Sequence, residues 1–251
     1  MPNDFPSDIV NEVGHRPWPM PGRAWMMRQS WHDLLFAHWP VAVDAVRTRV
    51  PRTLELDLFD GTAWVGVVPF HMTNVAPRAM PPLPWVSAFP ELNVRTYVTY
   101  CGKPGVYFFS LDAANPLAVI VARTMLHLPY YRATMDVAVN GEWVEYESLR
   151  TQGGRTAHFK ARYRPIGPVF QPTPGTLEHF LAERYCLYTA DSIHVRRLDI
   201  HHPPWRLQSA DAVIATNTVA DASGIALPPV TPLLHFARRQ DAVAWPPVMA
   251  S

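Results

Sequence analysis

The stretch Phe89-Pro90-Glu91-Leu92-Asn93-Val94-Arg95-Thr96-Tyr97-Val98-Thr99-Tyr100 decides the fold. Leu92, Val94, Thr96, Val98 and Tyr100 alternate with Asn93, Arg95, Tyr97 and Thr99, the period-two pattern of a strand. The Gly-Lys-Pro-Gly segment at 102–105 reads as a turn that sends the chain back into Val106–Leu111. The same signals recur on both sides. Leu54, Leu56 and Leu58 alternate with Glu55 and Asp57, and Asp60-Gly61 supplies a hairpin turn into the valine-rich run Ala63–Phe70. Asn140-Gly141 joins Met135–Val139 to Trp143–Leu149, and a further strand follows at Thr156–Arg164.

Helix signals are fewer. Val41–Val50 is closed by Pro51. Asn115-Pro116 offers an N-cap and a first-turn proline to Leu117–Leu126, on which Leu117, Val121 and Leu126 share a face. Thr176–Tyr185 is the third helix. Many hairpin-linked strands with a few interposed helices predict a mainly β (α+β) curved sheet or antiparallel barrel, not a doubly wound parallel sheet.

At 251 residues, with 48% hydrophobic and 17% charged residues, the chain can bury a substantial core. Residues 1–23 carry five prolines and read as an irregular arm; residues 24–251 read as a single domain. A formal charge of +1 offers no footprint for a phosphate-backbone binder, so nucleic acid is not expected as a partner. The two cysteines exclude a disulfide-dense scaffold and a thiolate zinc cluster. No signal peptide pattern opens the chain and no run of 18 apolar residues crosses a membrane, so a cytoplasmic protein is expected. Only Lys103 and Lys160 of the 22 basic residues are lysines, which limits amine catalysis.

Common catalytic signatures are missing: GxGxxG, the phosphate loop, HExxH and GxSxG. Four local groupings carry chemistry. His201-His202 resembles a ligand pair, but neighbours on a strand point to opposite faces, so a rigid proline turn is preferred and no metal is expected. The same argument makes His32-Asp33 a polar interruption on a strand. Glu91, Asn93, Arg95 and Tyr97 share one parity and project from one face. On a solvated sheet that row is an ordinary polar face; inside a ligand-sized barrel it is a cavity lining with an acid, a cation and a phenol. Tyr130-Tyr131 follow a helix stop, at a corner where a hydroxyl can enter such a cavity.

Several stretches together resemble the YqjF-like family of uncharacterised proteins (domain of unknown function 2071). They are Met27–Pro40, Phe59–Gly66, Phe89–Tyr97, Phe108–Ala113 and Glu183–Tyr188, and the likeness runs from about Arg16 to Pro246. That family is similar to the acetoacetate decarboxylase-like superfamily, which implies a β-barrel with peripheral helices. Enzymes of that superfamily form a Schiff base on a lysine within a Pro-Lys-Lys motif and carry a glutamate on an earlier strand. The resemblance places the glutamate at Glu91 and replaces the lysine pair with Tyr130-Tyr131. A tyrosine cannot form an imine.

The expectation is therefore a protein without cofactor that binds a small anionic or carbonyl ligand, with no Schiff-base decarboxylation. Arg95 would pair with the anion and Glu91 and Tyr130 would hydrogen-bond it; Asn93, Tyr97 and Tyr131 would complete the binding site. An acid–base enzyme with Glu91 as base and Tyr130 as acid is the rival. A structural or homo-oligomer-forming protein with a filled interior is the third reading.

Overall fold

The computed structural model describes residues 5–6, 8–83, 86–150, 152 and 156–250. The side chain of Val121, expected on one helix face with Leu117 and Leu126, lies outside the described residues. The strands are β1 (Met27–Val41), β2 (Glu55–Leu56), β3 (Ala63–Pro77), β4 (Phe89–Tyr100), β5 (Lys103–Ala113), β6 (Tyr130–Asn140) and β7 (Trp143–Arg150). They continue with β8 (Ala157–Phe170), β9 (Cys186–Ala190), β10 (Val195–His201), β11 (Leu207–Asn217), β12 (Leu233–Ala244) and β13 (Val248–Met249). The helices are short: α1 (Val43–Arg47), α2 (Pro116–Met125), α3 (Leu177–Ala182) and α4 (Val219–Ala222). Among the described residues, none is long and apolar enough to cross a membrane.

All strands belong to one sheet whose pairings close on themselves. One circuit runs β5-β6-β7-β8-β11-β12-β1-β3-β4 and returns to β5; a second runs β5-β9-β10-β12-β1-β3-β4 and also returns to β5. Pairing is antiparallel except where β5 meets β6 and β9, both parallel. α2 supplies the crossover between β5 and β6, a connection no hairpin can make. Asn115 caps it as expected: its Oδ1 accepts from Leu117 N at 3.0 Å and Ala118 N at 3.2 Å.

Turn chemistry fixes the registers. Asp60 (φ 48°) and Gly61 (φ 75°) link the Phe59–Thr62 bridge as a type I′ pair. The turn expected at 102–105 sits earlier, at Cys101 (φ 47°) and Gly102 (φ 72°), with Lys103 already paired to Tyr100. The reason is steric: both central residues need positive φ, and Pro104 is locked at negative φ. Likewise Asn140 pairs with Trp143, and Gly141 (φ 64°) occupies the turn. The alternating leucines at 54–58 yield only the two-residue β2, laid on the edge of β4.

The strands shared by both circuits are buried on both faces. Leu35, Val67, Leu92 and Val94 join Tyr146, Phe159, Tyr163 and Phe236 in one apolar cluster on the side of the nine-strand circuit. From the opposite face of the same strands, Leu34, Val68, Phe70, Met72 and Phe89 enter a second cluster with Trp205. That second face bounds the candidate site.

Candidate functional site

A cavity of about 320 Å³ lies against the seven-strand circuit. Its wall is apolar and aromatic, with Trp31, Phe70, Phe89, Phe108 and Trp205 among the lining residues. Trp31 stacks on Trp205 at 6.0 Å between ring centroids, and Phe36 meets Trp205 edge-on at 4.9 Å. Into this wall β4 sets Glu91, Asn93 and Arg95, and β6 sets Tyr130. A bulge opposite Val94 and Arg95 shifts the pairing with β5 but leaves the three polar residues on one face.

Glu91 is buried, and the Tyr130 hydroxyl donates to its Oε2 at 2.8 Å. Burial pushes the Glu91 carboxyl up to about 8; the hydrogen bond from Tyr130 opposes that rise and nearby Asp112 adds to it. Burial, reinforced by Glu91, holds the Tyr130 phenol well above its ordinary value. At neutral pH the pair is therefore a carboxylic acid beside a neutral phenol. Tyr146 anchors it from the far side, its hydroxyl donating to the Glu91 carbonyl at 2.8 Å.

Arg95 lies over Phe36, 5.2 Å from the ring centroid, and donates to Leu181 O at 3.2 Å. Its Nε is buried with no hydrogen-bond partner, as is Asn93 Oδ1. Tyr97 stands behind it and does not line the cavity. The Tyr97 hydroxyl proton goes to Leu181 O at 2.9 Å, so His38, at 2.7 Å, must donate from Nε2 to the phenol oxygen. Burial and the neighbouring Arg95 hold His38 well below its ordinary value, hence neutral. Gly66 makes room for this arrangement: a Cβ there would meet His38 Nε2 at 2.9 Å and Arg95 Cγ at 3.4 Å.

The cavity thus unites Glu91, Asn93, Arg95 and Tyr130 but excludes Tyr97 and Tyr131. Tyr131 points to the opposite face, where the Arg150 guanidinium covers its ring at 4.3 Å and faces buried Asp112 at 3.4 Å. Burial pushes Asp112 up to about 6 against the opposing pull of Arg150. Neither lysine lines the cavity: Lys103 opens β5, and Lys160 pairs with Glu147 at 2.8 Å on the exposed sheet. His32 and Asp33 take separate partners, Thr73 and Arg238. No described group of three His, Cys, Asp or Glu residues could hold a metal ion.

Arg184 and His202 also line the cavity, a place that sequence reasoning assigned to neither. Arg184 is buried, ion-paired to Asp57 at 2.5 Å, and stacked against Phe180 at 4.2 Å. His202 is buried against Tyr185 at 4.7 Å, and its Nε2 lies 3.1 Å from Arg184 O. Both come from irregular chain at strand ends, where no periodicity could signal which way they face.

Comparisons agree with this architecture. The enduracididine biosynthesis enzyme MppR, complexed with pyruvate, superposes with a TM-score of 0.61 at 12% identity, over 92% of each chain. An acetoacetate decarboxylase from Legionella pneumophila gives 0.60 at 13% identity, over 99% of this chain and 97% of that one. In sequence, the uncharacterized protein YqjF of Bacillus subtilis (strain 168) is 52% identical over 227 residues, 90% of this chain and 93% of that protein. The model of DUF2071, an uncharacterized conserved protein, matches residues 28–241. The fold is thus acetoacetate decarboxylase-like and mainly β, and the chain belongs to the DUF2071 family.

Proposed function

We propose that the seven-strand circuit acts as a ligand-holding barrel for a small anionic or carbonyl compound. One observation carries this reading: an unpartnered Arg95 Nε and the buried Glu91 carboxyl line the same largely apolar cavity. The guanidinium would take the anion. Glu91, already accepting from Tyr130, would donate its own proton to a carbonyl or carboxylate oxygen, and Asn93 Oδ1 would receive a ligand donor. The aromatic wall supplies the desolvated body of the site. The pyruvate held by the structural neighbour MppR supports a short keto acid as the ligand class.

Schiff-base decarboxylation is not part of the proposal, because no lysine lines the cavity. The test is calorimetric titration with pyruvate and acetoacetate. Saturable binding, weakened about tenfold or more by Arg95→Gln, is expected, since a charge-assisted contact contributes roughly 1.5–3 kcal/mol. Binding insensitive to Arg95→Gln would overturn the reading.

A second reading, proton transfer between Glu91 and a bound carbonyl compound, is favoured by the carboxyl's rise to about 8, close to working pH. Loss of α-proton exchange from bound pyruvate in Glu91→Gln, with binding retained, would select it.

A further inference from the structure

A second concavity, distinct from the cavity above, lies where α1, the α2–β6 connection, β5 and β9 converge, with a volume of about 420 Å³. Two guanidinium groups, from Arg49 and Arg123, and the His127 imidazole line it, and no carboxylate among the described residues does. The side chains of Arg49, Arg123 and His127 are exposed and belong to none of the ion pairs formed among the described residues. Several arginines elsewhere lean on acids, as Arg184 on Asp57, Arg197 on Asp199 and Arg238 on Asp33. Positive charge left without a counter-ion in a concave site is a field waiting for an anion.

The groove also has a body. Tyr107 and Phe109 meet edge-on at 5.6 Å and form an aromatic wall, and Ser223 adds a hydroxyl. Arg49 is seated, not trailing in solvent: its guanidinium lies so close over Gly224 that a Cβ there would meet Cζ and Nη2 at 2.5 Å. Gly224 also takes φ 78° directly after α4, a conformation that side chains disfavour. The turn after α4 therefore lies directly under Arg49 at the groove.

We propose that this groove is a binding site for a small organic phosphate with an aromatic or apolar body. The two guanidinium forks would take the phosphate oxygens, and the Tyr107–Phe109 wall would cover the organic part. The site is independent of Glu91 and Arg95, which line the other cavity.

Phenyl phosphate is the probe, titrated by calorimetry at low and moderate salt into the full chain, with phenol and inorganic phosphate as half-ligands. The proposal expects saturable binding of phenyl phosphate, tighter than that of either half-ligand and weakened by salt. Arg49→Gln and Arg123→Gln should each raise Kd about tenfold, the cost of one charge-assisted contact. Both arginines are exposed, and unchanged thermal melting will confirm folding. Glu91→Gln and Arg95→Gln should leave Kd unaltered. Absence of saturable binding, binding unaffected in the Arg49→Gln/Arg123→Gln double variant, or binding lost in Arg95→Gln would each overturn the assignment, the last by moving the phosphate to the inner cavity.

Discussion

Replacing Glu91 with glutamine should make the protein more stable at pH 9 and alter it little at pH 5. In the unfolded chain the carboxyl ionises at its ordinary value of 4.5; in the fold, burial lifts it to about 8. Between those values the native state holds a proton that the unfolded state has released. Stability therefore falls as pH rises through this window and levels off above it. At about 1.36 kcal/mol per pH step, the interval corresponds to at most about 5 kcal/mol, an upper limit because water entering the cavity would relieve part of the burial. Glutamine keeps an oxygen to accept from Tyr130 and never carries the charge. Urea unfolding of wild type and Glu91→Gln at pH 5, 7 and 9 reads the difference directly: the two curves should diverge as pH rises, the variant being the more stable by several kcal/mol at pH 9. A wild-type stability that stays level relative to the variant from pH 5 to 8, or a variant less stable at pH 9, would refute the burial argument.

Arg150→Met should cost about 3–5 kcal/mol at pH 8, because it leaves buried Asp112 without its partner, and less at pH 5, below the value of about 6 to which burial has raised that carboxyl. Urea titrations at the two pH values check the ordering. Tyr130→Phe removes the hydrogen bond to Glu91 Oε2, so the Glu91 carboxyl should titrate higher still, visible by carbon NMR of labelled glutamate, with about 1 kcal/mol of stability lost. Borohydride with acetoacetate should leave the wild-type mass unchanged, while Tyr130→Lys, whose amine would be held neutral by burial in the same place, should gain a reduced adduct. An adduct on wild-type Lys103 or Lys160 would refute the absence of Schiff-base chemistry.

Strand content was legible in part: the alternation at 92–100 became β4, the valine-rich run became β3 and the Asn-Gly signal separates β6 from β7, while the alternating leucines at 54–58 yielded only β2. Asn115-Pro116 marks the start of α2 to the residue. What stayed hidden was pairing. The parallel contacts of β5 with β6 and β9 join segments far apart in sequence, and no local pattern encodes them. The turn after β4 was displaced because its composition, rich in Gly and Pro, resembled a turn more than Cys101 did; φ signs, not composition, decide. In the site, parity correctly placed Glu91, Asn93 and Arg95 on one face. Tyr97 shares that face, with Arg95 and Arg184 against its ring, but does not line the cavity; its hydroxyl donates to Leu181 O and accepts from His38.

A filled interior and an open cavity lie on opposite faces of β4. Leu92 and Val94 meet Tyr146, Phe159 and Tyr163, and that side is packed with rings. Glu91, Asn93 and Arg95 face the other circuit, where space for a small molecule remains. Both faces are buried, so burial does not distinguish them; polarity does. An unpaired polar atom in a packed interior costs roughly 1–3 kcal/mol, and a ligand that meets it removes that cost. Arg95 Nε and Asn93 Oδ1 are two such atoms on the wall of one cavity, a donor and an acceptor two residues apart. A ligand with one anionic or carbonyl oxygen and one donor satisfies both at once, which an apolar guest would not.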